Sequence, residues 1–203
     1  MRVFSYVVKN DSGFAPNPFH GFCTLACCKP KIRNVASAGD IVVGLTTRSE
    51  RVVYAMRVAE VMTFEDYWSD PRFEAKRPRR MARTTADRCG DNIYEPLGDG
   101  EFRQHRSAHW DHANDREHAG AKRRDLGGRH VLVGRDFVYF GRSGPPLPQE
   151  IEFLRVRRAH RCRFTAEQVA AVVRWFEGLS SRGVHGQPHQ WDEGDTSWRP
   201  RCA

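Results

Sequence analysis

The hydrophobic positions near the amino terminus form short runs that are rich in β-branched residues. Residues 3–9 have the length and composition of a strand, and a turn-forming Asp-Ser-Gly sequence follows at residues 11–13. A Gly-Asp turn opens a second run at residues 39–44, and a third run extends over residues 52–61. The polar connection between the second and third runs is short, which is typical of a β-hairpin. We therefore predict a strand followed by a hairpin.

The segment between these runs has a different pattern. Residues 14–25 contain two prolines, which exclude a helix interior, and the three phenylalanines Phe14, Phe19 and Phe22. A solvated loop does not normally carry three such side chains. We expect this loop either to line a pocket or to pack across one end of the sheet, and the sequence leaves both open.

The second half of the chain shows fewer hydrophobic runs. Strands are predicted at residues 129–134, 136–141 and 151–156. The clearest helix begins after Thr165, which forms a capping-box pattern with Gln168, and its apolar residues recur at helical spacing up to a predicted end near Gly183.

We predict one domain over residues 1–185 and an irregular tail over residues 186–203. The chain, at 203 residues, is long enough to bury a core without disulfides. The tail carries Trp191 and Trp198, and these tryptophans suggest that part of it docks on the domain.

Charge points to partners that carry phosphate. The formal net charge is +8, and basic residues are concentrated in residues 72–88 and 155–163. The predicted phosphate contacts are Arg79, Arg80, Arg155, Arg157, Arg158 and Arg161. A charged face that is merely solvated is the alternative interpretation of the same arginines.

Cysteine usage and hydropathy indicate the compartment. The six cysteines show no Cys-x-x-Cys spacing, so reduced thiols are expected, and Cys23, Cys27 and Cys28 are predicted to pack in the core. No run approaches the ~20 apolar residues that a membrane span requires. We predict a cytoplasmic protein without a membrane partner.

A histidine-rich stretch raises the question of a metal. His105, His109 and His112 lie within the polar residues 101–124, and the first two would share a helix face. No Cys-x-x-Cys or His-Glu-x-x-His pattern accompanies them. The stretch is interpreted as a solvated polar loop, and neither a metal nor a cofactor is predicted.

Several phrases together carry a family resemblance. They occur at residues 13–19, 23–26, 29–33, 39–40, 90–94 and 137–141. The chain resembles the nucleotide modification associated domain family of the second type, within the PUA-like superfamily that includes EVE, YTH and ASCH domains. The resemblance implies an α+β fold, a PUA-like pseudo-barrel of mixed β-sheet with flanking helices. It also implies association with bacterial or phage systems that modify DNA bases.

The resemblance implies binding of nucleic acid, chiefly DNA, that carries a modified base. An extruded base would stack on aromatic side chains while polar groups read its edge. We expect the loop over residues 14–25 and the turn over residues 91–94 to face one cavity. The predicted base contacts are Asn17, Phe19, Thr24, Trp68, Asp91, Asn92 and Tyr94. Core packing is the alternative role for these aromatic residues.

Two other functions stay open. An enzyme of base or nucleotide modification, such as an amidohydrolase, would use Thr24, Lys29 or Cys23 as a reactive group and Asp91 as general base. The resemblance to the ASCH amidohydrolase arrangement is incomplete, because Thr24 and Lys29 have no clearly placed Glu beside them. The third possibility is an interaction module that contacts DNA-modification enzymes.

Overall fold

The computed structural model describes residues 1–79, 81–157 and 159–191. The strands are β1 Val3–Val7, β2 Cys23–Leu25, β3 Ile41–Leu45, β4 Val52–Arg57, β5 Glu60–Met62, β6 Tyr94–Gly98, β7 Glu101–Gln104, β8 Val131–Gly134, β9 Phe137–Tyr139, β10 His160–Arg161 and β11 Gly183–Val184. The α-helices are α1 Pro30–Arg33, α2 Phe64–Ser69, α3 Thr85–Arg88, α4 Ala119–Leu126 and α5 Ala166–Glu177. Short 3-10 helices cover Pro71–Lys76, Gly141–Ser143 and Gln149–Leu154.

The strands form three sheets. The largest has the order β10-β1-β3-β4-β9-β11 and is mixed, because β1 runs parallel to β3 while β3 and β4 are antiparallel. A second sheet has the order β2-β8-β5, and β6 pairs with β7 alone. The fold class is therefore α+β, as predicted. Within the described residues the sheets do not close into a barrel, so the PUA-like pseudo-barrel stays a prediction.

Strand alternation distributes the core over both faces of the six-stranded sheet. Phe4, Tyr6 and Met56 pack toward the β2-β8-β5 sheet, whereas Val3 and Val43 pack toward α5 and the 3-10 helix Gln149–Leu154. Successive strand residues point to opposite faces, so both sets of residues are buried when each face is covered. A third cluster lies between the β2-β8-β5 sheet, α2 and β6.

The predicted hairpin is confirmed by β3 and β4. Their register pairs Ile41 with Arg57 and Gly44 with Tyr54. A Cβ atom at Gly44 would lie 2.3 Å from the ring of Tyr54. Only glycine therefore leaves room for this ring beside the backbone of β3.

In the second half, β8 and β9 confirm the predicted strands over residues 129–134 and 136–141, and two other predictions need correction. The predicted strand over residues 151–156 is wrong, because Gln149–Leu154 is a 3-10 helix. The segment is kinked at Ile151, whose φ of -124° is not helical, and its buried residues Ile151 and Leu154 are three apart, which does not fit strand alternation. The capping box of α5 is confirmed, but the helix ends at Glu177 with Gly178 as its cap, before the predicted Gly183.

Part of the predicted tail packs on the domain. The Trp191 indole donates to Ser12 O over 2.9 Å and stacks on Phe19. Docking of Trp191 is thus confirmed, while Trp198 lies outside the described residues. Among the helices that the structure describes, none has the length and apolar character to cross a membrane.

Candidate functional site

The loop over residues 14–25 and the turn over residues 91–94 meet in a buried polar network around Asp91. The Thr24 hydroxyl donates to Asp91 Oδ2 over 2.8 Å, and the Tyr67 hydroxyl donates to Asp91 Oδ1 over 2.7 Å. The backbone N–H of Ala26 also donates to Oδ2. Burial raises the pKa of Asp91 overall, although the charge of Lys76 and these hydrogen bonds oppose the rise.

The buried Lys76 binds the loop over residues 14–25 on the other side of this network. The Lys76 ammonium donates to the side-chain oxygen of Asn17 over 2.6 Å and to the carbonyls of Asn17 and Phe22. Burial lowers its pKa to about 8, against the opposing effect of Asp91. The Asn17 amide in turn donates to Gly13 O and Cys89 O. We call this set, with Thr24, Tyr67 and Asp91, the Asp91–Lys76 network.

Three predicted base contacts thus come together, but as partners of one another within the core. Asn17, Thr24 and Asp91 are all buried. Asn92 is also buried, and its amide donates to the carbonyls of Tyr67 and Phe73. As base contacts these residues stay predictions, and a base would reach them only if the network opened.

The predicted stacking residues pack against different partners. Phe19 stacks on Trp191 with ring centroids 5.3 Å apart. Trp68 stacks on His105 at 5.0 Å, and the Arg77 guanidinium lies 4.1 Å from its ring centroid. Tyr94 is buried, and its hydroxyl donates to Asp125 Oδ2 over 2.8 Å. Their role in base stacking stays a prediction.

His109 departs from its sequence-based interpretation. It is buried rather than solvated, because its ring packs edge-on against Phe14 and its Nδ1 lies 2.5 Å from Asp125 Oδ2. Its Nε2 lies 3.5 Å from Cys28 Sγ. Cys28, His109 and Asp125 therefore form a chain of thiol, imidazole and carboxylate, which is the order found in cysteine nucleophile sites. We call it the Cys28 triad.

The electrostatics of the triad favour a charged imidazole. Burial alone would lower the pKa of His109, but the hydrogen bond to Asp125 and the contact with Cys28 raise it to about 9. For Asp125, burial acts to raise the pKa, but the hydrogen bond and charge of His109 lower it overall. A protonated His109 then donates from Nδ1 to Asp125 and from Nε2 to Cys28.

The same carboxylate also fixes the backbone of the cysteine. Asp125 Oδ1 accepts the N–H of Cys28 over 2.8 Å. The fully buried Arg33 donates from Nε to Cys28 O over 2.8 Å and also contacts the carbonyls of Asp125 and His130. The peptide of Cys28 is held at both ends, so its side chain has a defined position relative to His109.

The backbone at Cys28 is in a sparsely populated conformation. Cys28 and Lys29 are consecutive non-glycine residues with φ of 58° and 42°. Left-handed conformations cost energy for such residues, and they persist where surrounding contacts fix them, often at functional sites. The clamp by Asp125 and Arg33 provides such contacts here.

The triad opens on a groove at the carboxyl ends of β1 and β3. Two adjoining cavities of about 210 and 100 Å³ share Val8 and Lys9. The larger one is lined by Tyr6, Val8, Lys9, Asn10, Ala15, Cys28, Lys29 and Arg124, and the smaller one reaches Thr46 and Thr47. Because β1 and β3 are parallel, the segments that follow them lie at the same edge of the sheet. We call this feature, with its cations, the basic groove.

A basic segment of the carboxyl-terminal half is anchored to the β3–β4 turn and to β1. Val156 bonds to Ser49 in the β3–β4 turn, and His160 pairs with Tyr6 across β10 and β1. Arg157 lies between these two anchor points and is exposed. Burial and the positive charges of Lys31 and Lys29 lower the pKa of His160, which places these lysines near the same edge.

The other predicted phosphate contacts are distributed more widely. Arg155 contacts Ser49 O in the β3–β4 turn and pairs with Glu152. Arg161 donates to Phe153 O, and Arg79 pairs with Asp87 at 2.8 Å. Arg80 and Arg158 lie outside the described residues.

The remaining reactive candidates have structural contacts. Lys29 Nζ donates to Val7 O over 3.1 Å and lies 4.5 Å from the Tyr6 ring centroid. Cys23 is fully buried, and burial raises the pKa of its thiol, as it does for Cys27. A buried thiol of this kind stays protonated at neutral pH, so packing is the role that the structure assigns to both.

Cys27, His109 and Asp125 also bring three possible metal ligands together, with donor atoms within 4.8 Å of one another. These atoms have hydrogen-bond partners, however: Cys27 Sγ contacts Asp91 O, and Asp125 Oδ2 accepts from Tyr94 and His109. We therefore interpret the cluster as part of a hydrogen-bonded network, and the absence of a metal stays a prediction.

Comparison with known families adds the context. The family profile described as nucleotide modification associated domain 2 matches residues 1–195. The chain belongs to this family. The match spans β1 through Trp191, so the Asp91–Lys76 network, the Cys28 triad and the basic groove all lie within the matched residues. No curated protein and no solved structure matches the chain.

Sequence reasoning missed Cys28, His109, Asp125 and the two buried cations Arg33 and Lys76. Cys28 and His109 are 81 residues apart, so no local spacing connects them. One local signal was available. Asp125 lies in α4, which begins after His118. Helical periodicity would have placed Ala121 and Asp125 on one buried face of this helix.

Proposed function

We propose that this nucleotide modification associated domain binds nucleic acid carrying a modified base, with the phosphates held along the basic groove. The observation that supports the proposal is the convergence of Lys9, Lys29 and Arg124 on one cavity, with Arg157 exposed in the segment that joins Val156 to β10. The three lining cations come from separate parts of the sequence, so local composition does not explain their clustering. Phosphate oxygens are the anionic partners that such a groove suits, in keeping with the family's association with nucleotides.

The shape of the groove supports a nucleotide rather than an extended surface contact alone. A cavity of about 210 Å³ opens beside the cations, and Asn10 lines its wall with a side-chain amide. Amides can donate to and accept from the edge of a base, whereas the cations would fix the backbone. Discrimination of a modified base would then come from the cavity, and affinity from the groove.

Fluorescence anisotropy with short labelled oligonucleotides tests the phosphate part of the proposal. Replacing Lys9 and Arg157 together with Ala should weaken binding of all sequences and reduce the slope of log Kd against log salt by about 2. Both side chains are exposed, so the fold should tolerate the change. Arg174→Ala, which removes an exposed arginine of α5, is the matched control and should leave the slope unchanged.

The base part needs a separate comparison at constant salt. Oligonucleotides of one sequence, with and without a hydroxymethylated pyrimidine, should differ in Kd if the cavity reads the modification. Equal slopes for the double variant and the Arg174 control would contradict the groove as the phosphate site. Equal Kd values across a panel of modified pyrimidines and purines would contradict recognition of a modified base.

A further inference from the structure

We propose that Cys28 is a nucleophile and that Cys28, His109 and Asp125 form an acyl-transfer site, acting on an ester or amide carried by a nucleotide. The substrate class rests on the proposed function, since the triad opens on the basic groove. The nucleophile itself rests on the geometry and surroundings of the triad and is independent of the proposed function.

The first argument is the mutual arrangement of the three side chains. Cys28 Sγ lies 3.5 Å from His109 Nε2, and His109 Nδ1 lies 2.5 Å from Asp125 Oδ2. A nucleophile within reach of a base, with the base oriented by a third group, is the arrangement that thiol and hydroxyl nucleophiles use. His109 and Asp125 are buried, whereas Cys28 is half-buried and faces the cavity.

The second argument is that the surroundings favour the reactive form of the thiol. Cys28 shares its cavity with Lys29 and Arg124, and Arg33 clamps its carbonyl. Nearby cations and a protonated histidine stabilise a thiolate. Arg124 Nη2 lies 3.2 Å from His109 Nε2 and can donate to this nitrogen when the imidazole is neutral. Asp125, the Cys27 thiol and the Tyr6 and Tyr94 hydroxyls are further titratable groups around the pair.

The reaction follows from these groups. In the starting pair the proton lies on His109 Nε2 and Cys28 is a thiolate, which attacks the acyl carbonyl carbon to give a tetrahedral oxyanion next to Arg124. Collapse restores the carbonyl and breaks the bond to the leaving amine or alcohol, which takes the proton from His109, and a thioester remains on Cys28. Water then attacks the thioester carbonyl while the neutral His109 accepts its proton. The second collapse breaks the C–S bond, releases a carboxylic acid and leaves the Cys28 thiolate beside the protonated His109.

Asp125 is a positioning residue in this scheme. Its Oδ2 orients the imidazole and its Oδ1 holds the N–H of Cys28, so one carboxylate sets the relative position of nucleophile and base. The Cys27 thiol also lies within 4.8 Å of a His109 nitrogen, but it is fully buried and contacts Asp91 O, so it has no access to the cavity.

Site-resolved alkylation tests the nucleophile without any nucleotide. Iodoacetamide is applied to the folded protein at pH 6, and the rate at each cysteine is followed by peptide mass spectrometry. Cys162 is exposed and serves as an internal reference. Cys28 should react about tenfold faster than Cys162, because the imidazole of His109 and the neighbouring cations favour the thiolate of Cys28, and the thiolate is the form that iodoacetamide alkylates.

Asp125→Asn should lower the alkylation rate of Cys28 and move its pH profile to higher pH, whereas the rate at Cys162 should not change. Asp125→Glu should restore part of the profile. A rate at Cys28 that does not exceed the rate at Cys162 in the wild-type protein overturns the proposal, and this comparison holds even where the Asp125 variants fail to fold.

Acyl transfer is tested with p-nitrophenyl acetate and with nucleoside monophosphates acetylated on the base amine or on a ribose hydroxyl. The first probe should give a burst of p-nitrophenolate and an acetyl adduct on the Cys28 peptide, and Cys28→Ser should abolish the adduct while Cys162→Ser keeps it. Absence of the adduct in the wild-type protein overturns acyl transfer. Adduct formation without turnover of any acetylated nucleotide overturns the nucleotide ester or amide as the substrate. The proposed nucleic-acid binding is tested separately, by the anisotropy measurements.

Discussion

The Asp91–Lys76 network and the Cys28 triad are both built from buried ionisable groups, but they differ in their access to solvent. In the first, Asn17, Thr24, Lys76 and Asp91 are all buried and bond to one another and to backbone carbonyls. In the second, His109 and Asp125 are buried, but Cys28 reaches a cavity with a basic border. Buried polar groups that satisfy one another fix a structure, whereas a similar chain ending at a cavity can act on a ligand.

This comparison separates two roles within one small domain. The Asp91–Lys76 network ties the loop over residues 14–25 to α2, the 3-10 helix Pro71–Lys76 and the turn before β6. The triad uses α1, α4 and the segment after β7 to position one thiol. Two contacts link these regions: the Tyr94 hydroxyl, next to the turn that carries Asp91, donates to Asp125, and Cys27, next to Cys28, contacts Asp91 O. The Asp91–Lys76 network therefore packs directly against the triad.

The largest expected effect comes from a substitution in the Asp91–Lys76 network. Asp91→Ala would leave the Thr24 and Tyr67 hydroxyls without their acceptor and the Lys76 charge without its nearest carboxylate. We expect a loss of about 3–5 kcal/mol in the free energy of unfolding, measured in urea. Asp91→Asn, which keeps one carbonyl acceptor, is the control and should lose less. Equal losses would show that the charge rather than the hydrogen bonds matters.

The next prediction concerns pH and Lys76. Its pKa is about 8 in the folded protein and near 10.4 in an unfolded chain, so between these values the unfolded state binds more protons. The contribution of Lys76 to stability therefore rises with pH across this window, by about 2 kcal/mol between pH 8 and 10.

The buried tyrosines and cysteines, whose pKa values are raised, act in the opposite direction over the same pH range. The measurement is therefore the difference between wild type and Lys76→Met in urea at each pH. That difference should move in favour of the wild type as pH rises. A constant difference would mean that Lys76 keeps its proton throughout the range.

The smallest expected effect on stability comes from a substitution in the Cys28 triad. Cys28→Ala removes a half-buried side chain from the edge of a cavity without changing its backbone clamp, which uses main-chain atoms. We expect a change within about 0.5 kcal/mol in the free energy of unfolding. A loss as large as that of Asp91→Ala would place Cys28 in the structural core and remove the distinction between the two regions.

Local elements of the fold were largely predictable. β-branched runs and the polar connection predicted β3 and β4, and Thr165 with Gln168 predicted the start of α5. The segment after Pro148 was predicted wrongly, because its apolar residues fit a short strand as well as a 3-10 helix and only the contact of Ile151 and Leu154 with the core decided between them.

The candidate site was predictable only in part. The sequence predicted that the loop over residues 14–25 and the turn over residues 91–94 would face one cavity. The two segments do meet, through Thr24 and Asp91, but these side chains bond to each other in the core, and a shared cavity stays a prediction. Arg33 and Lys76 were indistinguishable from surface cations, because burial of a charge depends on carbonyls that distant segments supply.

By itself the sequence determined the α+β class, the hairpin, the α5 cap and the family, since each depends on local patterns or on several phrases taken together. Only the tertiary structure decided which ionisable groups are buried and which reach a cavity. Cys28, His109 and Asp125 come from three distant segments, and their chemistry depends on distances of a few ångströms that no spacing along the chain encodes. Hydrogen bonds and pKa values are set by the nearest neighbours in space, and packing alone chooses these neighbours.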